Sequence, residues 1–201
     1  MTKKLFLVLL FPFIADLAIS CCNCLDSLTH HYSNKTLTVS SLDNSGQEPK
    51  EISAGSVFKT AYGIRVQLLR EKVVHINKPA IVFGQAAWAY GCHCPPTDEF
   101  LPKDSIIAIR VLTLYNFNSD HPANSDVSAY FKVYTLYHFE TLDAYTKFIG
   151  TSFYSETELQ LSFNMLLMTP PASGGAQQFK VQFILSDGRI LEQDTPTIDL
   201  I

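Results

Sequence analysis

The side chains best suited to chemistry are five cysteines in two stretches. AISCCNCLD, residues 18–26, holds Cys21, Cys22 and Cys24, and YGCHCPP, residues 90–96, holds Cys92 and Cys94. A structural zinc site commonly uses C-x2–4-C spacing with two further ligands placed likewise, and C-x-C is shorter than that. A dithiol redox site favours C-x-x-C in a βαβ setting, and neither is present. Other polar groups are weaker candidates. His30-His31 stand four residues after Asp26 in polar chain, which reads as solvated tether before metal ligand. Asp120, His121 and Asp126 in NSDHPANSD are interrupted by Pro122 and Ala123 and lack the terminal Glu of a calcium loop, so turn and cap chemistry is expected there. Asn34-Lys35-Thr36 is an N-glycosylation sequon, which matters only in a eukaryotic secretory pathway. Glu156 and Glu158 carry no mark of an acid/base pair. No nucleophile elbow, H-E-x-x-H, phosphate loop or dinucleotide fingerprint occurs. No catalytic residue, metal ligand or cofactor is therefore assigned.

The start of the chain gives the cysteines a context. Lys3 and Lys4 precede the apolar run Leu5–Ala15, and Ala18 and Ser20 supply small residues before a cleavage point. This is the three-part layout of a secretory signal. A membrane-spanning helix needs about 20 apolar residues, and this run is shorter, contains Pro12 and is followed by Asp16. Residues 1–20 are read as signal peptide. Its removal takes away two Lys and one Asp and leaves 13 basic and 18 acidic residues, a net charge of −5.

Cleavage after Ser20 makes Cys21 the new N-terminus. LAISC resembles the lipobox of bacterial lipoproteins, in which a small residue precedes the cysteine that is lipidated. Ser20 fits that position, whereas Ala18 stands where Leu is usual. Cys22 is the other possible anchor, but then Cys21 must act as the small residue. Cysteines of exported proteins usually pair, and lipidating Cys21 leaves an even set: Cys22, Cys24, Cys92 and Cys94. Three pairings are open to four cysteines. Linking the N-terminal pair to Cys92 and Cys94 would close a loop of about seventy residues, stabilising by roughly 4 kcal/mol in the chain-entropy model. A Cys92–Cys94 bridge would strain its geometry. A plain secreted protein with an odd N-terminal cysteine is the competing reading.

The elements that must position these groups are mostly strands. The 201 residues are 47% hydrophobic and 17% charged, enough for a core and too little charge for disorder. No Lys/Arg cluster occurs, so nucleic acid is not an expected partner. Residues 21–34 read as a lipid-anchor tether, and residues 35–201 as one domain. Lys35–Leu42 begins with strand alternation, Asp43–Ser56 is turn chemistry, and in AYGIRVQLLREKV Ile64, Val66 and Leu68 share a face. Asp104–Tyr115 is apolar on both faces, which predicts a central strand covered on both sides. The following loop is expected to enter a short helix capped by Asn124 or Ser125. Phe139–Gly150 is a second candidate helix, ending at Gly150. Leu159, Leu161, Phe163, Met165 and Leu167 alternate up to Pro170 and Pro171. Phe179, Val181, Phe183 and Leu185 alternate before Asp187-Gly188, a two-residue hairpin turn, and TPTIDLI extends the return strand or adds an edge. Six to eight strands with one or two short helices predict a mainly β, β-sandwich-like single domain.

Three segments in order, SVFKTAYGIRVQL, RVLTLYNFNSDHPANSDVSAYF and TPPASGGAQQFKVQFILSDGRIL, resemble the uncharacterised envelope lipoproteins of Bacteroidetes-type bacteria. In that family a strand leads to an NF…HPA…S loop, and the chain ends in a TPP…GG loop and a DG hairpin. Asn124 stands where Gly is expected after HPA. The resemblance implies a cell-envelope lipoprotein of unknown function and supplies no catalytic residues. Only Asp26 follows the cysteines as an acidic residue, so the periplasmic and outer faces both stay open. The expectation is an exported protein held to the membrane by its N-terminal lipid, acting by binding or as a structural component. Another envelope protein or a glycan is the partner expected; Trp88 and Tyr90 read first as buried core residues and only second as a contact surface. The alternative is an envelope hydrolase or metal-dependent enzyme without a recognisable motif.

Overall fold

The computed structural model describes residues 29–73, 98–135, 138–153 and 155–201. All five cysteines, Trp88, Tyr90 and the expected signal peptide lie outside them. Thirteen strands are found among the described residues, more than expected because loop segments contribute short strands of two to four residues.

The first strand, β1 (Thr29–Asp43), pairs antiparallel with β4 (Tyr62–Val73) along almost its whole length. On its other edge it holds β2 (Lys50–Ile52) at one end and, in parallel, β5 (Glu99–Pro102) at the other. Across β4 follow β9 (Gln160–Leu167), β7 (Phe131–Tyr134) and β8 (Phe139–Thr141), completing a seven-stranded sheet. A three-stranded sheet faces it, formed by β12 (Ile190–Asp194), β11 (Phe179–Leu185) and β6 (Ile106–Thr113). A third small sheet joins β10 (Gly175–Gln177), β13 (Ile198–Leu200) and β3 (Ser56–Val57). Helix α1 (Leu142–Ile149) packs beside β6.

Period-two alternation explains how the sheets bury their faces. Ile64, Val66 and Leu68 on β4 and Phe163, Met165 and Leu167 on β9 point inward and meet Phe179, Val181, Phe183 and Leu185 of β11 in one core. Aromatic contacts cross between the sheets: Phe131 meets Phe179 edge-on at 5.3 Å, and Phe163 lies 6.4 Å from Phe183. This is the β-sandwich that the alternation predicts. Gly63 sits where chains crowd, since a Cβ there would lie 2.9 Å from Leu166 Cδ2 and 3.0 Å from the Met165 carbonyl.

Several local expectations are corrected. β1 begins at Thr29, so residues 29–34 are strand and not tether, with Tyr32 and Asn34 buried. The cause is non-local: β5 adds a parallel neighbour to Thr29–Tyr32, and β4 pairs with His31–Asn34. β6 is an edge of its sheet and not a central strand. Its outer side is closed by the loop 124–128, in which Val127 N donates to the Val111 carbonyl and Asn124 N to the Thr113 carbonyl. A bulge at Ile107 leaves Ile106 and Ile109 both inward and Ile107 exposed. The helix expected after NSDHPANSD is a single 3-10 turn, Ser128–Tyr130, and neither Asn124 nor Ser125 caps it. Asn124 instead takes a left-handed φ of 67°, doing the work of the Gly expected there. The second candidate helix forms over Leu142–Ile149 only, with the Thr141 side chain accepting from Ala144 N and Gly150 at its C-cap, while Phe139–Thr141 of the expected span is strand β8. The DG hairpin has a three-residue loop: Gly188 N donates to Leu185 O, Leu185 N to Arg189 O, and Gly188 has a φ of 86°. TPTIDLI leaves the hairpin for the third sheet, where β13 pairs with β10 and β3.

Candidate functional site

β7 reaches only as far as Val133 in its pairing with β9, opposite Met165. Beyond that point the sheet has a notch, walled by the β7–β8 hairpin on one side and by α1 on another. The resulting groove has a volume of about 990 Å3 and extends over the solvent face of β4 and β9. Alternation decides what it displays. Because Val133, Phe163, Met165, Ile64 and Val66 point into the core, Tyr134, Ser162, Asn164, Arg65 and Gln67 point out. The registers Arg65↔Asn164 and Gln67↔Ser162 make these four polar side chains a compact block.

Tyr134 faces Phe139 across the hairpin with ring centroids 5.1 Å apart, and the two are 56% and 44% exposed. Phe148, on α1, adds a third exposed aromatic at 72%. Tyr145 forms part of the floor against Phe163, 4.6 Å between centroids. Burial pushes its phenol up to about 12, opposed by the positive charge of Arg70, so it stays neutral at physiological pH.

The charged side chains at the groove have polar partners. Arg65 donates through Nη1 to Glu51 Oε1 at 2.8 Å and through Nε to Asn164 Oδ1 at 3.0 Å. His138 Nε2 lies 2.6 Å from Glu140 Oε1.

The polar residues singled out in the sequence are placed elsewhere. His30 stands on β1, its Nε2 3.3 Å from Asp98 Oδ2 and its ring 5.1 Å from that of Phe100. Asp120, His121 and Asp126 serve the loop: Asn118 Oδ1 accepts from the backbone of Asp120 and His121, and Asp126 Oδ1 accepts from Ser128 N. Among the described residues no three His, Cys, Asp or Glu side chains come together to hold a metal ion. Glu156 pairs with Lys72 at 3.1 Å. Asn34, the sequon asparagine, is 1% exposed and its Nδ2 donates to the Asp104 carbonyl at 2.6 Å, so it offers no acceptor site in the folded domain. Cys21, Cys22, Cys24, Cys92 and Cys94 lie outside the described residues. The groove residues went unnoticed in the sequence because Tyr134 and Phe139 become neighbours only when the hairpin closes. The aromatic-rich run YTLYHF around them was the one available signal.

The class is thus a mainly β sandwich with one short helix and an aromatic-flanked groove on its larger sheet. The chain belongs to the family Domain of unknown function (DUF5034), which matches residues 34–196. No functionally curated protein matches it. Among solved structures it is similar to the major pilin subunit BcpA of Bacillus cereus, at 12% identity over 84% of this chain and 41% of the pilin, TM-score 0.25. A variant of the same pilin gives 13% identity over the same shares and a TM-score of 0.26. This chain spans less than half of that pilin's length.

Proposed function

We propose that this protein is an exported cell-envelope lipoprotein, anchored through Cys21, whose β-sandwich domain works by binding a partner. The observation that carries the binding reading is the groove of about 990 Å3, in which exposed aromatics stand beside outward-facing amide and hydroxyl groups. Concave sites with apolar walls and a few placed polar groups are the usual form of a ligand site. The anchor reading is supported by the basic start, the apolar run Leu5–Ala15, the lipobox-like LAISC and the resemblance to Bacteroidetes-type lipoproteins. No helix among the described residues is long and apolar enough to cross a membrane. A diacyl group with an N-acyl chain provides more than the single hydrocarbon anchor that holds only reversibly. Cys22, Cys24, Cys92 and Cys94 form disulfides in this reading.

Mass spectrometry of the mature N-terminus tests the anchor. The expected result is a chain starting at Cys21 and carrying acyl chains; an unmodified Cys21, or a chain that keeps residues 1–20, sinks it. A thiol count on the denatured, unreduced protein is expected to find no free thiol.

A further inference from the structure

The groove's chemistry narrows the ligand, given the binding reading above. We infer that the groove binds a neutral glycan, with a sugar ring lying on the Tyr134–Phe139 pair and its hydroxyls met by Gln67, Ser162 and Asn164. Three observations carry this. First, Tyr134 and Phe139, paired across strands and with rings 5.1 Å apart, present aromatic surface to solvent at 56% and 44% exposure. A pyranose has an apolar C–H face, and an exposed ring beside polar neighbours suits a ligand apolar on one side and wet on the other. Second, the adjoining block on β4 and β9 is made of amides and a hydroxyl, groups that both donate and accept and so match sugar hydroxyls. Asn164 Oδ1 accepts from Arg65 Nε at 3.0 Å, so the donor side of the amide is what this groove-lining residue has left to offer. Third, the guanidinium that lines the groove is already answered, Arg65 by Glu51 at 2.8 Å, and Glu140 lies within hydrogen-bond distance of His138 at 2.6 Å. An anionic ligand would meet no unpaired cation among these residues.

An extended peptide added to the edge of β9 is the competing occupant. Met168 N donates to Tyr130 O, so alternate residues of β9 turn their backbone groups toward β7. Among the described residues only Gln160 and Ser162 do so beyond the end of β7. Those two residues offer a peptide at most four backbone hydrogen bonds along the stretch Gln160–Asn164, so the peptide is kept as an arm of the test.

The test is calorimetric titration of the full mature chain with neutral hexasaccharides of glucose, mannose, galactose and xylose, with hexagalacturonate as the anionic probe. At least one neutral sugar is expected to bind. Tyr134→Ala and Phe139→Ala are expected to weaken that binding by about tenfold or more while leaving the thermal midpoint nearly unchanged, because both rings are exposed. Gln67→Ala, on the outer face, serves as a second variant and should weaken it less. The inference is overturned if no neutral sugar binds, if hexagalacturonate binds more tightly than all of them, or if the aromatic variants bind as well as the parent. If sugars fail but a displayed peptide library yields binders that Tyr134→Ala abolishes, the glycan inference falls and the binding reading stands. If neither binds, both fall.

Discussion

Ser33, Asn34, Asp104 and Arg189 in one place, and Ser162, Asn164, Glu51 and Arg65 in another, are two assemblies of nearly the same side-chain types with opposite surroundings. In the first the carboxylate is 2% exposed and every donor converges on it. Ser33 Oγ donates to Asp104 Oδ2 at 2.8 Å, Asn34 N to Oδ1 at 2.9 Å, and Arg189 Nη2 closes on Oδ2. The cluster ties β1 to the turn before β6 and to the tip of the β11–β12 hairpin, 155 residues away in sequence where Arg189 Nη1 donates to Asn34 O. In the second, the Arg65–Glu51 pair lies on the open face of the sheet, and its neighbours look into a groove. The difference teaches that residue type does not separate structure from function here; burial and convergence do. A closed cluster uses its hydrogen bonds to hold the fold, and an open one leaves polar groups facing the groove.

The contrast is broken most directly at Asp104. Asp104→Ala leaves the buried Asn34 N–H and the Ser33 hydroxyl without their acceptor, while the exposed Arg189 keeps Asp187, and each buried donor left unsatisfied costs about 1–3 kcal/mol. For a domain of this size the two together are a fall of roughly 10 °C in thermal midpoint. Urea and thermal unfolding measure it, and a loss below about 1 kcal/mol ends the claim that the cluster holds the fold.

The buried side is sharpened by alkaline titration. Burial pushes the Tyr62 phenol up to about 12, opposed by hydrogen bonds with Ser41 and Thr195, against an ordinary value of 10.0. Between those values the unfolded chain has lost the proton and the folded chain keeps it. The stability from this group is therefore fully present below pH 10 and is lost as pH rises toward 12, by about 3 kcal/mol. Denaturant unfolding from pH 9 to 11.5 reads the slope, and Tyr62→Phe is expected to flatten it. An unchanged slope in that variant assigns the effect to other groups.

Gly63→Ala probes the support beneath the open face. Its new methyl meets Leu166, which lines the groove, and a backbone carbonyl that cannot move cheaply. A loss of about 1–3 kcal/mol is expected, read by urea unfolding, and full retention of stability contradicts the packing described.

The smallest effect on stability is expected at Glu51. Glu51→Ala removes a surface pair and costs under about 1 kcal/mol, yet it frees the charge of Arg65 beside the groove. Binding of hexagalacturonate should rise relative to neutral sugars, whereas an unchanged preference would show that the Arg65–Glu51 pair does not set the groove's charge.

Strands with clean alternation were legible because the signal is local. Ile64, Val66 and Leu68, and Phe179 through Leu185, point where their two-residue period says. Helix α1 was legible from Phe139–Gly150, with Gly150 at its end. β6 was misread because an apolar strand looks covered on both sides whether its neighbour is a strand or a loop, and because the bulge at Ile107 reverses the alternation. The start of β1 was misread because His30-His31 and Ser33-Asn34 look like solvated chain until β5 and Asp104 meet them. Of the candidate site, the cysteines were the visible chemistry, and they lie outside the described residues; of the groove only the aromatic run YTLYHF showed in the sequence.

By itself, the sequence determined the β class, the faces of the longest strands, the DG hairpin and the short helix, since each follows from spacing within a few residues. Only the tertiary structure decided that Asn34 is buried, that Asp104 gathers three distant segments, and that Tyr134, Phe139, Gln67 and Asn164 share one groove. Those outcomes depend on strand order and register, which bring together residues up to 156 positions apart, and no local pattern of side chains encodes that meeting.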